Sequence, residues 1–310
     1  MSYLVEDLIE SVKDRSFAPI SQTTFQDADI LRILNEELSL SIVSSILKTR
    51  EDFFLARKTI SLVASKDHYP VPKRAVGNSI KALFAVSSGG DKRALKRRDI
   101  DRIDEYSGNG GSTGEFYFES DELVLMQPPS DSSDSLLCIY PRRPSELVLT
   151  TSCAKITSIS STSTHTTFTV DTDLTADLSV GEYVDFLSHK APFQCWSEEV
   201  AITAITTTTI EVLKANIVDV DGSVEPVAND YICPYGQANI PQIPIEFHPV
   251  LAQKGANRML AALGDQAKLQ AGVAIERMMM EQAIDLIQNR AESSPIRPSR
   301  KRGLLRTFRS

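Results

Sequence analysis

A chain of 310 residues, 42% hydrophobic and 24% charged, is long enough for about two soluble domains with real cores. The formal net charge is −8, yet the stretch from Ser293 onward holds six cations and no acid, so charge is segregated along the chain. An acidic body repels phosphates and is expected not to wrap nucleic acid, while a detached basic arm still reaches a separate acidic surface; the balance favours a protein partner.

Leu4, Leu8 and Val12 predict a short amphipathic helix, ended by the loop through Ser16, Pro19 and Ser21. Glu6, Asp7 and Glu10 interrupt its apolar residues, so a secretion signal is not expected. No uninterrupted apolar run approaches the roughly 18 residues of a membrane span, so membrane insertion is not expected either. Thr24 and Asp27 resemble a capping box opening a long helix, with Ile30, Leu31, Leu34, Leu38, Ile42 and Ile46 on one face and Ile33, Leu40, Val43 and Leu47 on another. That helix is either buried in its own domain or in contact with a second subunit.

Alternation from Phe53 to Ala64 predicts one or two strands, Tyr69 to Pro72 an extended turn, and Ala75 to Leu83 a helix. The charge-dense segment from Lys92 to Glu105 predicts a solvated helix face, with a DNA-contacting role as the alternative. Gly110, Ser112 and Gly114 have the spacing of a nucleophile elbow, but a glycine loop precedes them and the strand residues Phe116 to Phe118 follow, which is the wrong context. The same loop lacks the Lys-Ser/Thr of a phosphate cradle. Phe116 to Phe118, Leu123 to Met126 and Leu136 to Tyr140 predict an antiparallel meander.

The Thr- and Ser-rich stretch from about Thr150 to Tyr235 predicts six strands: Lys155 to Ser160, Thr166 to Val170, Tyr183 to Leu187, Val200 to Ile205, Thr208 to Leu213 and Tyr231 to Cys233. Ile240 to Pro244 connects to an αα-hairpin broken at Gly264. In its second helix Leu269, Val273, Met280, Ile284 and Ile287 recur at helical spacing, and Ile275, Met279 and Leu286 widen the stripe, so it needs neighbours on two sides. Pro295 and Pro298 then break the pattern, and Arg297, Arg300, Lys301, Arg302, Leu304, Leu305, Arg306, Phe308 and Arg309 form a tail too poor in apolar residues for a core, suited to docking on a partner.

The expected fold is α+β: a helical bundle with a small antiparallel meander and an inserted all-β domain, sandwich or barrel. Its expected parts are 1–149 (helical, with the meander), 150–238 (the β insertion), 239–292 (C-terminal helices completing the bundle) and 293–310 (the extended basic tail). Cys138, Cys153, Cys195 and Cys233 lie far apart without paired spacing, which predicts reduced thiols, with neither a disulfide nor a zinc site.

The order of elements resembles the head-to-tail adaptor (connector) proteins of tailed bacteriophages. The residues that carry the resemblance are Tyr69 to Pro72 with Ala75, Val76 and Gly77; Leu123 to Leu125 and Leu137 to Tyr140 around Pro128 and Pro129; and Arg143, Pro144 and Leu147. Ile240 to Pro244 with His248, then Leu263-Gly264-Asp265, then Arg290 ahead of Gly303, Leu304, Leu305 and Arg306 complete the set. The resemblance implies a virion protein of the neck, assembled in host cytoplasm as a homo-oligomeric ring, most often of twelve subunits. It implies docking to the portal protein through the C-terminal tail, contact with tail or nozzle proteins, passage of double-stranded DNA through the lumen, and no cofactor or catalytic activity.

The alternatives are another neck or tail ring, a host-recognition protein and a hydrolase. Trp196 near Phe193 would make a sugar platform for recognition. His68, His165, His189 and His248 lack the spacing of a metal site, and a hydrolase would need two distant carboxylates converging in a cleft.

Overall fold

The helices at the two ends of the chain pack on one another, and the strands lie between them in sequence. A computed structural model describes residues 4–17, 25–99, 114–130, 132–191, 195–217 and 226–288. Among these residues, sixteen strands form a closed six-stranded barrel and several further sheets beside five α-helices. The expected helical bundle with a small meander is therefore wrong: the molecule is mostly β. Local helical periodicity was visible at both ends, but most strand pairs join segments distant in sequence, which periodicity does not register.

Helix α1 (Val5–Ser16) buries Val5, Leu8, Ile9 and Val12. Helix α2 (Asp27–Glu37) starts where the Asp29 carboxylate accepts the Gln26 backbone N–H at 3.1 Å, one turn of capping that uses neither Thr24, which lies outside the described residues, nor Asp27, which pairs with Lys13. A π turn (Leu38–Ile42) continues α2 into α3 (Val43–Thr49). The wider turn rotates the following residues. Val43 thereby joins the core while Leu40, expected on the same face, is 77% exposed.

Helices α4 (His248–Leu263) and α5 (Gln266–Ile287) form the C-terminal hairpin around Gly264, whose φ of 75° is the left-handed end that glycine adopts without strain. Val250, Leu251, Ala256 and Met259 of α4 share one core with the apolar residues of α1 and α2. Gly255 is the close crossing, since a Cβ there would stand 3.0 Å from Val12 and 3.1 Å from Leu34.

Two four-stranded sheets enclose a second core. One has the order β1 (Leu55–Ser61), β8 (Ser135–Pro141), β3 (Ala82–Val86), β4 (Lys92–Ala94); the other is β2 (His68–Pro70), β7 (Glu122–Leu125), β6 (Glu115–Glu119), β5 (Lys96–Arg97). The expected meander is only half present. β6 and β7 form a hairpin, but β8 leaves it to lie between β1 and β3, where Leu136, Cys138 and Tyr140 reach the core with Ala56 and Leu83. The helix expected over 75–83 is absent because Gly77 and Asn78 take positive φ (58° and 53°), turning the chain into β3. The expected helix from Lys92 is two edge strands as far as Arg97, and exposed cations on an edge oppose pairing with another chain. Residues 100–105 lie outside the described residues.

The barrel runs β10 (Ala154–Ser161), β11 (His165–Val170), β14 (Thr209–Leu213), β13 (Cys195–Ile205), β12 (Tyr183–Leu187) and β15 (Tyr231–Pro234), closing β15 onto β10. Alternation sends Ile156, Phe168, Val184, Phe186, Ile210 and Val212 inward, with the Phe168 and Phe186 rings 4.8 Å apart, and turns Thr167 and Thr169 the other way. At the closure the register Ala154↔Ile232 sets Cys153 opposite Cys233, and the two are disulfide-bonded across a Cα–Cα distance of 4.4 Å. This overturns the expected reduced state of all four cysteines: the partners are 80 residues apart, and only barrel closure brings them together. Cys138 and Cys195 remain free thiols.

Candidate interaction surfaces

The barrel is tied to the sheets by charge. Arg74 follows the β2 turn and Arg142 follows β8; both are buried and point toward β12 and β13 of the barrel. Arg74 donates to the Asp185 carboxylate at 2.8 Å, to Ser145 Oγ at 2.8 Å and to the Arg143 carbonyl at 2.9 Å. Arg142 pairs with Glu198 and Lys58 with Glu199. Asp185 also accepts the backbone N–H groups of Glu199 at 3.0 Å and Gly236 at 2.9 Å. Burial pushes the Asp185 carboxyl up despite Arg74. Burial works the same way on Glu198, but Arg142 and Arg74 together hold it below the usual carboxylate range. Two acids with perturbed acidity do meet here, as a hydrolase would require. They are spent on arginines inside a junction, however, and Asp185 has no exposed surface from which to reach a substrate.

On the outer side of this junction lies a groove of about 780 Å³. One wall is α2 and the turn after it, with Leu31, Arg32, Asn35 and Leu38; the other is the segment from Arg143 to Val148, and Lys73 closes one end. Strand β9 (Glu146–Leu147) runs along the second wall, paired in parallel with β16 (Gln237–Ala238) on one edge. Its other edge is taken by the Asn35 side chain. Sequence reasoning passed over Arg32, Lys73 and Asn35. A signal existed in the doubled cations Lys73-Arg74 and Arg142-Arg143, each of which sends one member inward to the junction and leaves one exposed.

A third surface is the outer side of α5. Met279, Met280, Ile284 and Ile287 pack on the helical core, and Glu276 bonds Lys254 at 2.6 Å and Asn257 at 2.7 Å. The opposite side is open: Ile275, Met278 and Leu286 are 45%, 51% and 66% exposed, in line with Ala271 and Gln282. Neighbours were expected on two sides, and among the described residues only one is covered.

The nine tail residues expected to bind the portal, Arg297, Arg300, Lys301, Arg302, Leu304, Leu305, Arg306, Phe308 and Arg309, lie outside the described residues, as do Ser112, Phe193 and the Trp196 side chain. The four histidines are dispersed. His68 meets Glu122 at 3.0 Å, His165 meets Glu211 at 4.0 Å, His189 meets Asp230 at 2.7 Å, and His248 is buried at the start of α4. Among the described residues no group of three or more His, Cys, Asp or Glu is placed to hold a metal, and no helix is long and apolar enough to cross a membrane. No protein-family model matches the chain, and no curated protein matches it.

Proposed function

We propose that the protein is a head-to-tail adaptor of a tailed bacteriophage, a structural ring component that docks under the portal and joins capsid to tail. The observation that carries the reading is the open apolar stripe of α5, with Ile275, Met278 and Leu286 at helical spacing on a helix whose other side is already packed. A helix apolar on opposite sides is a helix between two neighbours. A second copy of the chain covers the outer side in a ring, and the basic segment after α5 is delivered from the same helix to the portal. The acidic charge of the whole chain suits a DNA conduit, because it does not build the multi-phosphate contacts that would arrest sliding.

The β-dominated architecture favours a second reading within the same class, a neck or tail ring protein that is not the portal-bound one. Negative-stain microscopy of the purified chain mixed with its cognate portal separates them. A closed ring coaxial with the portal supports the adaptor, a ring that ignores the portal supports the second reading, and a persistent monomer removes both.

A further inference from the structure

Arg32, Lys73 and Arg143 come from three separate parts of the chain and meet around one groove. Among the described residues none of the three has a carboxylate within ion-pairing distance. By contrast, Arg74, Arg142, Lys58 and Lys254 each pair with a carboxylate. Of the two acids lining the groove, Glu36 is engaged by Arg258 at 2.7 Å, which leaves Glu146 alone against three cations. Like charges gathered without compensation repel one another, and an anionic occupant relieves that repulsion.

The floor between these cations is apolar, formed by Leu31, Leu38, Val43 and Leu147. Among the described residues no aromatic side chain lines it, so it offers no stacking platform for a base. The edge of β9 is closed by Asn35, so an incoming segment cannot add as a strand and must be held by its side chains. We propose that this groove seats a peptide segment of a partner protein in which carboxylates alternate with apolar side chains. The apolar residues occupy the floor, and the carboxylates pair with Arg32, Lys73 and Arg143. The proposal stands apart from the adaptor reading, since a groove of this chemistry takes such a segment in any assembly.

The test is a random display library of peptides about 12 residues long, selected on the full chain and counter-selected on the Arg32→Glu/Arg143→Glu variant. Recovered peptides are expected to interleave Asp or Glu with Leu, Ile, Val or Phe. Their synthetic forms should bind the parent chain about tenfold or more tightly than the variant, with affinity falling as salt rises. Failure to recover binders, binders without acids, or equal binding to parent and variant overturns the proposal. A DNA duplex of about 20 base pairs that displaces the peptides and loses affinity in the same variant also overturns it, by assigning the surface to phosphate. Thermal melting checks the variant's fold, and the single variant Lys73→Glu carries the same expected loss if the double one is unfolded.

Discussion

Asn35 satisfies both backbone groups of Leu147: its side-chain oxygen accepts the Leu147 N–H at 2.7 Å, and its amide nitrogen donates to the Leu147 carbonyl at 3.0 Å. One side chain on α2 thus acts as the missing neighbour of a two-residue strand and fixes the helical core to the parallel ladder beneath it. Replacing Asn35 by Ala leaves both groups of a buried residue without a protein partner. A loss of about 1–3 kcal/mol in urea unfolding is expected. Asn35→Asp keeps the acceptor and loses the donor, and should fall between the two.

Arg74 and Asp185 are a buried pair across the barrel junction, where removing one partner strands the other charge. Arg74→Met is expected to lower stability by about 3–5 kcal/mol, and adding Asp185→Leu should restore part of it. If the double variant is as unstable as the sum of the two single ones, the pair does not act as a unit.

The Cys153–Cys233 bond closes the barrel where β15 meets β10. Denaturing thiol titration without reductant is expected to find two reactive thiols of the four cysteines, Cys138 and Cys195. In the folded protein both are slow toward thiol reagents, since both are buried, and burial pushes the Cys138 thiol up to about 12. The paired variant Cys153→Ser/Cys233→Ser should lower unfolding stability by about 2–4 kcal/mol.

Burial at the start of α4 pushes His248 down to about 4 from 6.5, although backbone hydrogen bonds with Ile243 and Pro241 and the nearby Glu246 charge oppose the shift. Between those values the unfolded chain binds a proton that the folded one refuses. Stability contributed by neutral His248 is therefore fully present above pH 6.5 and is lost as pH falls toward 4, by about 3 kcal/mol. Comparing urea midpoints across this window, His248→Gln should flatten the slope; an unchanged slope would refute the assignment.

Where elements are local, the chain announces them. The stripe through Leu8 and Val12, for which Leu4 proves to be the extended residue just before the helix, the break at Gly264 and the strand runs between Lys155 and Cys233 each rest on residues a few positions apart and form the expected kind of element. The groove was illegible for the opposite reason. Arg32, Lys73 and Arg143 are unremarkable singly and acquire meaning only when α2, the β2 turn and the end of β8 come together.

Amino-acid order alone determined the charge segregation, the amphipathic ends and the alternating threonine-rich strands, because charge, helical period and strand period are properties of neighbours in the chain. Tertiary structure alone decided that β8 leaves its hairpin for β1 and β3, that Cys153 meets Cys233, and that among the described residues α5 keeps one apolar side open. Those outcomes depend on which distant surfaces bury each other, and the free energy of burial belongs to the pair of surfaces rather than to either segment.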